Sequence, residues 1–147
     1  MAAYNKFNKF VEDLANKVHD LIGAPPDAIK IFLSNDTPVA TDAVKADLSE
    51  IDDSDAGYTA GGASVTPVGS RTDGVVTLAG TAVVFTAADA GIGPFQQVVL
   101  YNDTPAAPLD PLIAWWDHGE PVTLAVDETF TVRFDNEPAQ GTIFTLA

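Results

Sequence analysis

Asparagine, aspartate and threonine occur together twice in this chain, as Asn35-Asp36-Thr37-Pro38 and Asn102-Asp103-Thr104-Pro105, 67 positions apart within a shared pattern L-x-N-D-T-P-x-A. Those residue types suit three kinds of chemistry. Both triplets are formal N-glycosylation sequons, and their oxygens are calcium ligands. They are also turn formers: Asn or Asp bonds the nearby backbone in an Asx turn, and proline holds the preceding threonine extended and cannot continue a ladder. Each follows an apolar run, Ile29-Lys30-Ile31-Phe32 and Gln97-Val98-Val99. The turn reading is therefore preferred, with a strand closing at each corner.

Asp52, Asp53 and Asp55 form the densest acidic cluster. Calcium takes six to eight oxygens, the D-x-[DN]-x-[DN]-G pattern is not met, and Ser64 stands where a loop counted from Asp53 needs its bidentate glutamate. A solvated loop is expected. Leu112-Ile113-Ala114-Trp115-Trp116-Asp117-His118-Gly119 is richer in side-chain chemistry. Adjacent strand residues face opposite ways, so one tryptophan belongs to the core and the other to an edge or interface, where it can stack a sugar ring. Catalysis finds little support. His19 and His118 stand in no metal-ligand spacing. Gly62-Ala63-Ser64-Val65-Thr66 only begins like a nucleophile elbow. A glycosidase pair cannot be located among sixteen aspartates and five glutamates by spacing alone. No catalytic residue, metal or cofactor is assigned.

The elements that must carry these residues are mostly strands. Tyr4, Phe7, Val11, Leu14, Val18 and Leu21 recur at 3-4-3-4-3 spacing, with Phe10, Ala15 and Ile22 widening the stripe. This predicts a helix from Tyr4 to about Ile22, ended by Gly23-Ala24-Pro25-Pro26, that lies either on a partner or on its own domain. Beyond Asp27 the expected strands are Ile29–Ser34, Val44–Ile51, Ala63–Thr66, Val75–Ala79, Ala82–Thr86, Gln96–Asn102, Leu112–Asp117, Val122–Val126, Thr129–Phe134 and Thr142–Leu146. Alternation in the 122–126 and 129–134 segments predicts a hairpin around Asp127-Glu128. With no room for crossover helices the sheets are expected to be antiparallel. The fold class is mainly β, an antiparallel jelly-roll-like sandwich (27–147) preceded by an amphipathic helix (1–24). The loops Asp52–Gly57, Ser70–Gly74 and Thr104–Pro111 are expected to face a partner.

The 147 residues suit one domain, and cysteine is absent, so no disulfide or thiolate chemistry is available. Seven basic residues face 21 acidic ones, for a net charge of −14. Residues 1–30 are balanced at four against four, so all the excess lies beyond them. Such a charge argues against nucleic acid and anionic membrane surfaces as partners and favours solubility. Glu12 and Asp13 interrupt the apolar run a signal peptide needs, so synthesis in a cytoplasm is expected.

Several phrases together resemble structural proteins of tailed bacteriophages and prophages. They are Met1-Ala2-Ala3-Tyr4-Asn5-Lys6-Phe7 leading into Val11-Glu12-Asp13-Leu14-Ala15, Gly57-Tyr58-Thr59-Ala60-Gly61-Gly62-Ala63, Gly93-Pro94-Phe95 running into Val98–Thr104, Pro111-Leu112-Ile113 with the tryptophan pair, and Thr129-Phe130-Thr131-Val132. The resemblance implies a non-enzymatic, β-rich virion component, most like a capsid decoration or cement subunit. Its partners would be the major capsid protein and copies of itself, with a trimer as first expectation, and its place the capsid surface. The expected partner-contact residues are Tyr4, Phe7, Phe10, Val11, Leu14, Trp115 and Trp116. The alternative is a tail or tail-fibre component with a carbohydrate-binding role, using Trp115 or Trp116 as a stacking platform.

Overall fold

The computed structural model describes residues 2–52, 56–136 and 140–147. Its centre is a pair of antiparallel strands, β2 (Ile29–Ser34) and β7 (Ile92–Asn102), whose register runs from Ile29 opposite Asn102 to Ser34 opposite Gln97. Alternation in both strands supplies two apolar faces. Ile29, Ile31, Leu33, Val98 and Leu100 enter one hydrophobic cluster, while Phe32, Val99 and Tyr101 enter another. Both faces are covered, which explains the near-continuous apolar runs of these segments.

Around this pair stands a five-stranded sheet in the order β1-β8-β7-β2-β3, with β1 at Asn5–Lys6, β3 at Ala63–Val65 and β8 at Leu112–Leu124. A three-stranded sheet has the order β10-β5-β4, from Gln140–Leu146, Val75–Thr81 and Pro67–Thr72. A two-stranded sheet pairs β6 (Val83–Thr86) with β9 (Thr129–Val132). All pairings are antiparallel. The larger cluster draws Leu78, Val83, Phe85 and Ile143 from the two smaller sheets onto the first face of the large one. The mainly β, antiparallel class with a helix near the N-terminus is as expected.

The helix itself is shorter than the periodicity predicts. α1 spans Asn8–Ala15. Lys17 takes φ 59°, its N–H bonds the Leu14 carbonyl, and the Val18 N–H returns to Asp13 O at 2.9 Å. This Schellman closure ends the helix well before Gly23. Upstream, Asn5 and Lys6 pair with Trp115 and Ala114, so sheet pairing takes residues that the spacing assigned to the first helical turn. The helix lies on its own domain. Phe7 (0% exposed) joins the second cluster and Phe10 (1%) the first, while Val11 is 50% exposed. The seam through Tyr4, Phe7, Val11 and Leu14 is thus replaced by a buried face through Phe7 and Phe10.

Three strand expectations are also corrected. Val44–Ile51 is not a strand: a 3₁₀ turn occupies Lys45–Asp47, and isolated bridges, Val44 to Pro111 and Glu50 to Ser34, stand in place of a ladder at its ends. This segment carries Leu48 into the second cluster. The 112–117 segment and residues 122–124 belong to one strand, β8, while Val126 lies beyond it and is 49% exposed, so the hairpin expected around Asp127-Glu128 does not form, and β9 pairs with β6 instead. Ser70–Gly74 is not an open loop but the end of β4 and its tight turn. Asp73 (φ 48°) and Gly74 (φ 83°) both take the left-handed conformation that a two-residue hairpin turn demands.

Both Asn-Asp-Thr-Pro elements are corners, and they lie at opposite ends of the β2–β7 pair. The second is an Asx turn in which Asn102 Oδ1 accepts the Thr104 N–H at 3.0 Å. The first uses the preceding residue: Ser34 Oγ accepts the Asp36 N–H at 3.0 Å, and Asp36 Oδ2 accepts that of Ser49 at 2.7 Å. Each corner also grips an incoming segment, since Thr104 Oγ1 accepts the Ala28 N–H at 2.8 Å.

Asn102 has a further role. Its fully buried amide donates to Asp27 Oδ2 at 2.7 Å and to His19 Nδ1 at 3.0 Å. His19 therefore carries its proton on Nε2, and protonating Nδ1 would set two donors against each other. Burial lowers the His19 pKa below its ordinary 6.5, against the opposing pull of Asp13 and Asp27. A base whose folded pKa is depressed contributes stability that is complete above the unfolded value and is lost as pH falls below it. The melting temperature is expected to fall between pH 7 and pH 5 more steeply in the native chain than in His19→Gln, which keeps an acceptor for Asn102. Parallel Tm–pH curves for the two proteins would show that His19 does not titrate this contact.

Candidate binding cleft

The tryptophans part as strand geometry requires. Trp115 packs at 4.5 Å between ring centroids on Phe7 in the second cluster. Trp116 turns to the other face, 5.8 Å from Tyr4 and 5.5 Å from Phe134. Both are half-buried. Tyr4, whose hydroxyl burial pushes up to about 12, and Leu14 are half-buried against the larger cluster. Of the seven expected partner-contact residues, Phe7 and Phe10 are sealed inside the chain's own cores and present no surface. The physical reason is that this N-terminal segment completes those cores, which the neighbouring strands leave open.

Trp116 borders a cleft of about 260 Å³. Two irregularities of the chain make it. Gln97 pairs with Asp117 and Phe95 with Val122, so β8 bulges outward through His118–Pro121. The bulge is pinned by Asp117 Oδ1, which accepts from Gln96 Nε2 at 2.9 Å and from the Gly119 N–H at 2.7 Å. These donors hold the Asp117 carboxyl below the usual carboxylate range. Opposite, among the described residues β9 has a partner on one side only. Five consecutive residues, 130 to 134, line the cleft. Because alternate strand residues point to opposite faces, such a run means that the cleft follows the unpaired strand edge.

The lining is aromatic with a cationic rim. Trp116, Phe130 and Phe134 supply ring surface, and His118 stands 5.9 Å from Phe130, edge to face. The His118 Nδ1–H donates to the Glu120 carbonyl at 3.1 Å, which leaves Nε2 of the neutral ring as an acceptor. Arg133 and Thr131 are exposed on the rim, and among the described residues no carboxylate lines the cleft. Among the described residues, none forms an ion pair with Arg133. The sequence marked the tryptophans and the adjacent His118 but not Phe130 or Arg133 as their neighbours, because the pairing of β9 with β6 leaves no local trace.

A second polar assembly escaped the sequence reading altogether. Glu50 Oε1 accepts from the Tyr58 hydroxyl and the Gly61 N–H, each at 2.7 Å, while Oε2 meets Lys45 Nζ at 2.5 Å. Tyr58 also accepts the Leu33 N–H at 3.1 Å, and Tyr101 donates to the Gly61 carbonyl at 2.7 Å. Lys45 sits 5.0 Å above the Phe32 ring. Burial drives both tyrosine hydroxyls well above their ordinary range, so they stay protonated and donate. Every polar atom named here has a protein partner, as expected of a structural clamp joining the 45–61 segment to the sheet.

Asp53 and Asp55 of the acidic cluster lie outside the described residues. Among the described residues, no group of three or more His, Asp or Glu converges as a metal site, and no helix is long and apolar enough to cross a membrane. No protein-family model matches the chain, and neither the curated proteins nor the solved structures contain a match.

Proposed function

We propose that the chain is a non-enzymatic structural protein of a tailed-phage particle, a jelly-roll-like decoration or cement subunit that binds the assembled head together with copies of itself. One observation carries the reading. The phrases that resemble phage structural proteins converge on a single framework instead of a reactive site. Phe7 packs on Trp115, Val98–Leu100 pair with Ala114–Trp116, and Gly61 accepts from Tyr101. A resemblance borne by frame residues is one of architecture, as befits a building unit. With Phe7 and Phe10 turned inward, attachment falls to the loops. Leu109, 66% exposed within the expected 104–111 loop, is an apolar contact point there. A subunit that binds only the closed shell stabilises it by mass action.

Quantitative mass spectrometry of purified particles tests this. Copies on the order of hundreds, following the shell's symmetry, are expected for a head protein, and about a dozen or fewer would move the chain to the tail. The tail-adhesion reading is favoured by a separate observation, the half-buried Trp116 on the wall of an aromatic cleft.

A further inference from the structure

We infer that the Trp116 cleft binds a carboxylate-bearing saccharide, one acidic sugar ring at a time. The inference rests on the adhesion reading of that cleft and adds the ligand's class. Size comes first: about 260 Å³ lies below the ~300–1,000 Å³ typical of drug-sized pockets, a space on the scale of a single ring. Chemistry narrows it further. Trp116 and Phe130 offer flat apolar surface to the C–H face of a ring, as aromatic side chains with one wet edge do. The rim offers a hydroxyl at Thr131, an acceptor at His118 Nε2 and a guanidinium at Arg133. Hydroxyl-rich rings need such a mixture of donors and acceptors, which a purely aromatic acid does not.

Charge selects the acid. A chain of net charge −14 repels anions over most of its surface, yet among the described residues no carboxylate lines this cleft, and one of only two arginines does. The planar guanidinium fork matches a carboxylate in two parallel hydrogen bonds. Arg133 lies just beyond the last residue of β9, at the end of the unpaired edge, so its side chain reaches the cleft without leaving the strand's path.

The test is a titration of the full-length chain by tryptophan fluorescence, with sodium D-glucuronate as probe, D-glucose as neutral counterpart and sodium chloride as ionic control. Saturable change with glucuronate is expected, with affinity about tenfold or more weaker for glucose and for Arg133→Ala, the usual worth of a charged hydrogen bond. Arg133→Lys should fall between them, since it keeps the charge without the fork. Arg133 is exposed, so unchanged melting of both variants checks that they fold. Equal affinity for glucose and glucuronate, or undiminished binding by Arg133→Ala, would overturn the acid-specific inference while leaving sugar adhesion standing. A response no different from sodium chloride would overturn both.

Discussion

Gly62→Ala is expected to unfold the chain or to cost it about 3–5 kcal/mol, the sum of left-handed strain and overpacking against backbone. Gly62 has φ +79°, and a Cβ there would lie 1.8 Å from the Ile31 carbonyl oxygen and 2.6 Å from its carbon. Neither atom can yield, because Ile31 belongs to central β2 and pairs with both Leu100 and Ala63. The neighbouring Gly61 is held at the same time by Glu50 and Tyr101, so the loop has nowhere to retreat. Gly74→Ala supplies the control. Gly74 has a similar φ of +83° with nothing within 4 Å, so strain acts alone and about 1 kcal/mol is expected. Denaturant melts of the two variants would separate close approach from strain. Equal losses would show that contact with Ile31 does not matter.

Glu50→Gln has the second largest expected effect, a loss of about 3 kcal/mol. The amide can still accept from Tyr58 and Gly61, but its nitrogen then confronts the Lys45 ammonium, donor against donor. Both charged side chains are mostly buried, at 14% and 20% exposure, so water cannot restore the lost partner. Removing the stranded cation as well, in Glu50→Gln with Lys45→Met, should recover part of the loss, since breaking one half of a buried pair costs more than replacing both. A Glu50→Gln chain as stable as the parent would mean that the Lys45–Glu50 pair adds nothing to the clamp. So would a double variant whose loss is the simple sum of two independent ones.

Much of the architecture is legible in the chain because it depends on neighbours in sequence. Ile29–Ser34 reads as a buried strand from its residue types alone, and the chain turns at both Asn-Asp-Thr-Pro elements, the second by the expected Asx turn and the first through Ser34. The division of Trp115 from Trp116 follows from strand alternation. Asp73-Gly74 is likewise the strongest two-residue hairpin pattern in the chain, and it places β4 directly. Helix α1 failed differently. The apolar spacing from Tyr4 to Leu21 is compatible with one long helix, but Asn5 and Lys6 find sheet partners and Lys17 closes a Schellman turn. An eighteen-residue pattern is cut short at its start by pairing with residues more than a hundred positions away and at its end by a local turn.

The sequence by itself therefore determined the class of the molecule: a disulfide-free, acidic, antiparallel β domain whose strands, corners and opposed tryptophans obey local stereochemistry. Tertiary structure decided which strands meet. Pairing β9 with β6 frees the edge beside Trp116, the bulge at His118–Pro121 opens the space, and the return of the 45–61 segment brings Lys45, Glu50 and Tyr58 together. Each of these depends on burial shared between distant segments, a free-energy term that no short window of residues contains. The same term turned Phe7 and Phe10 inward.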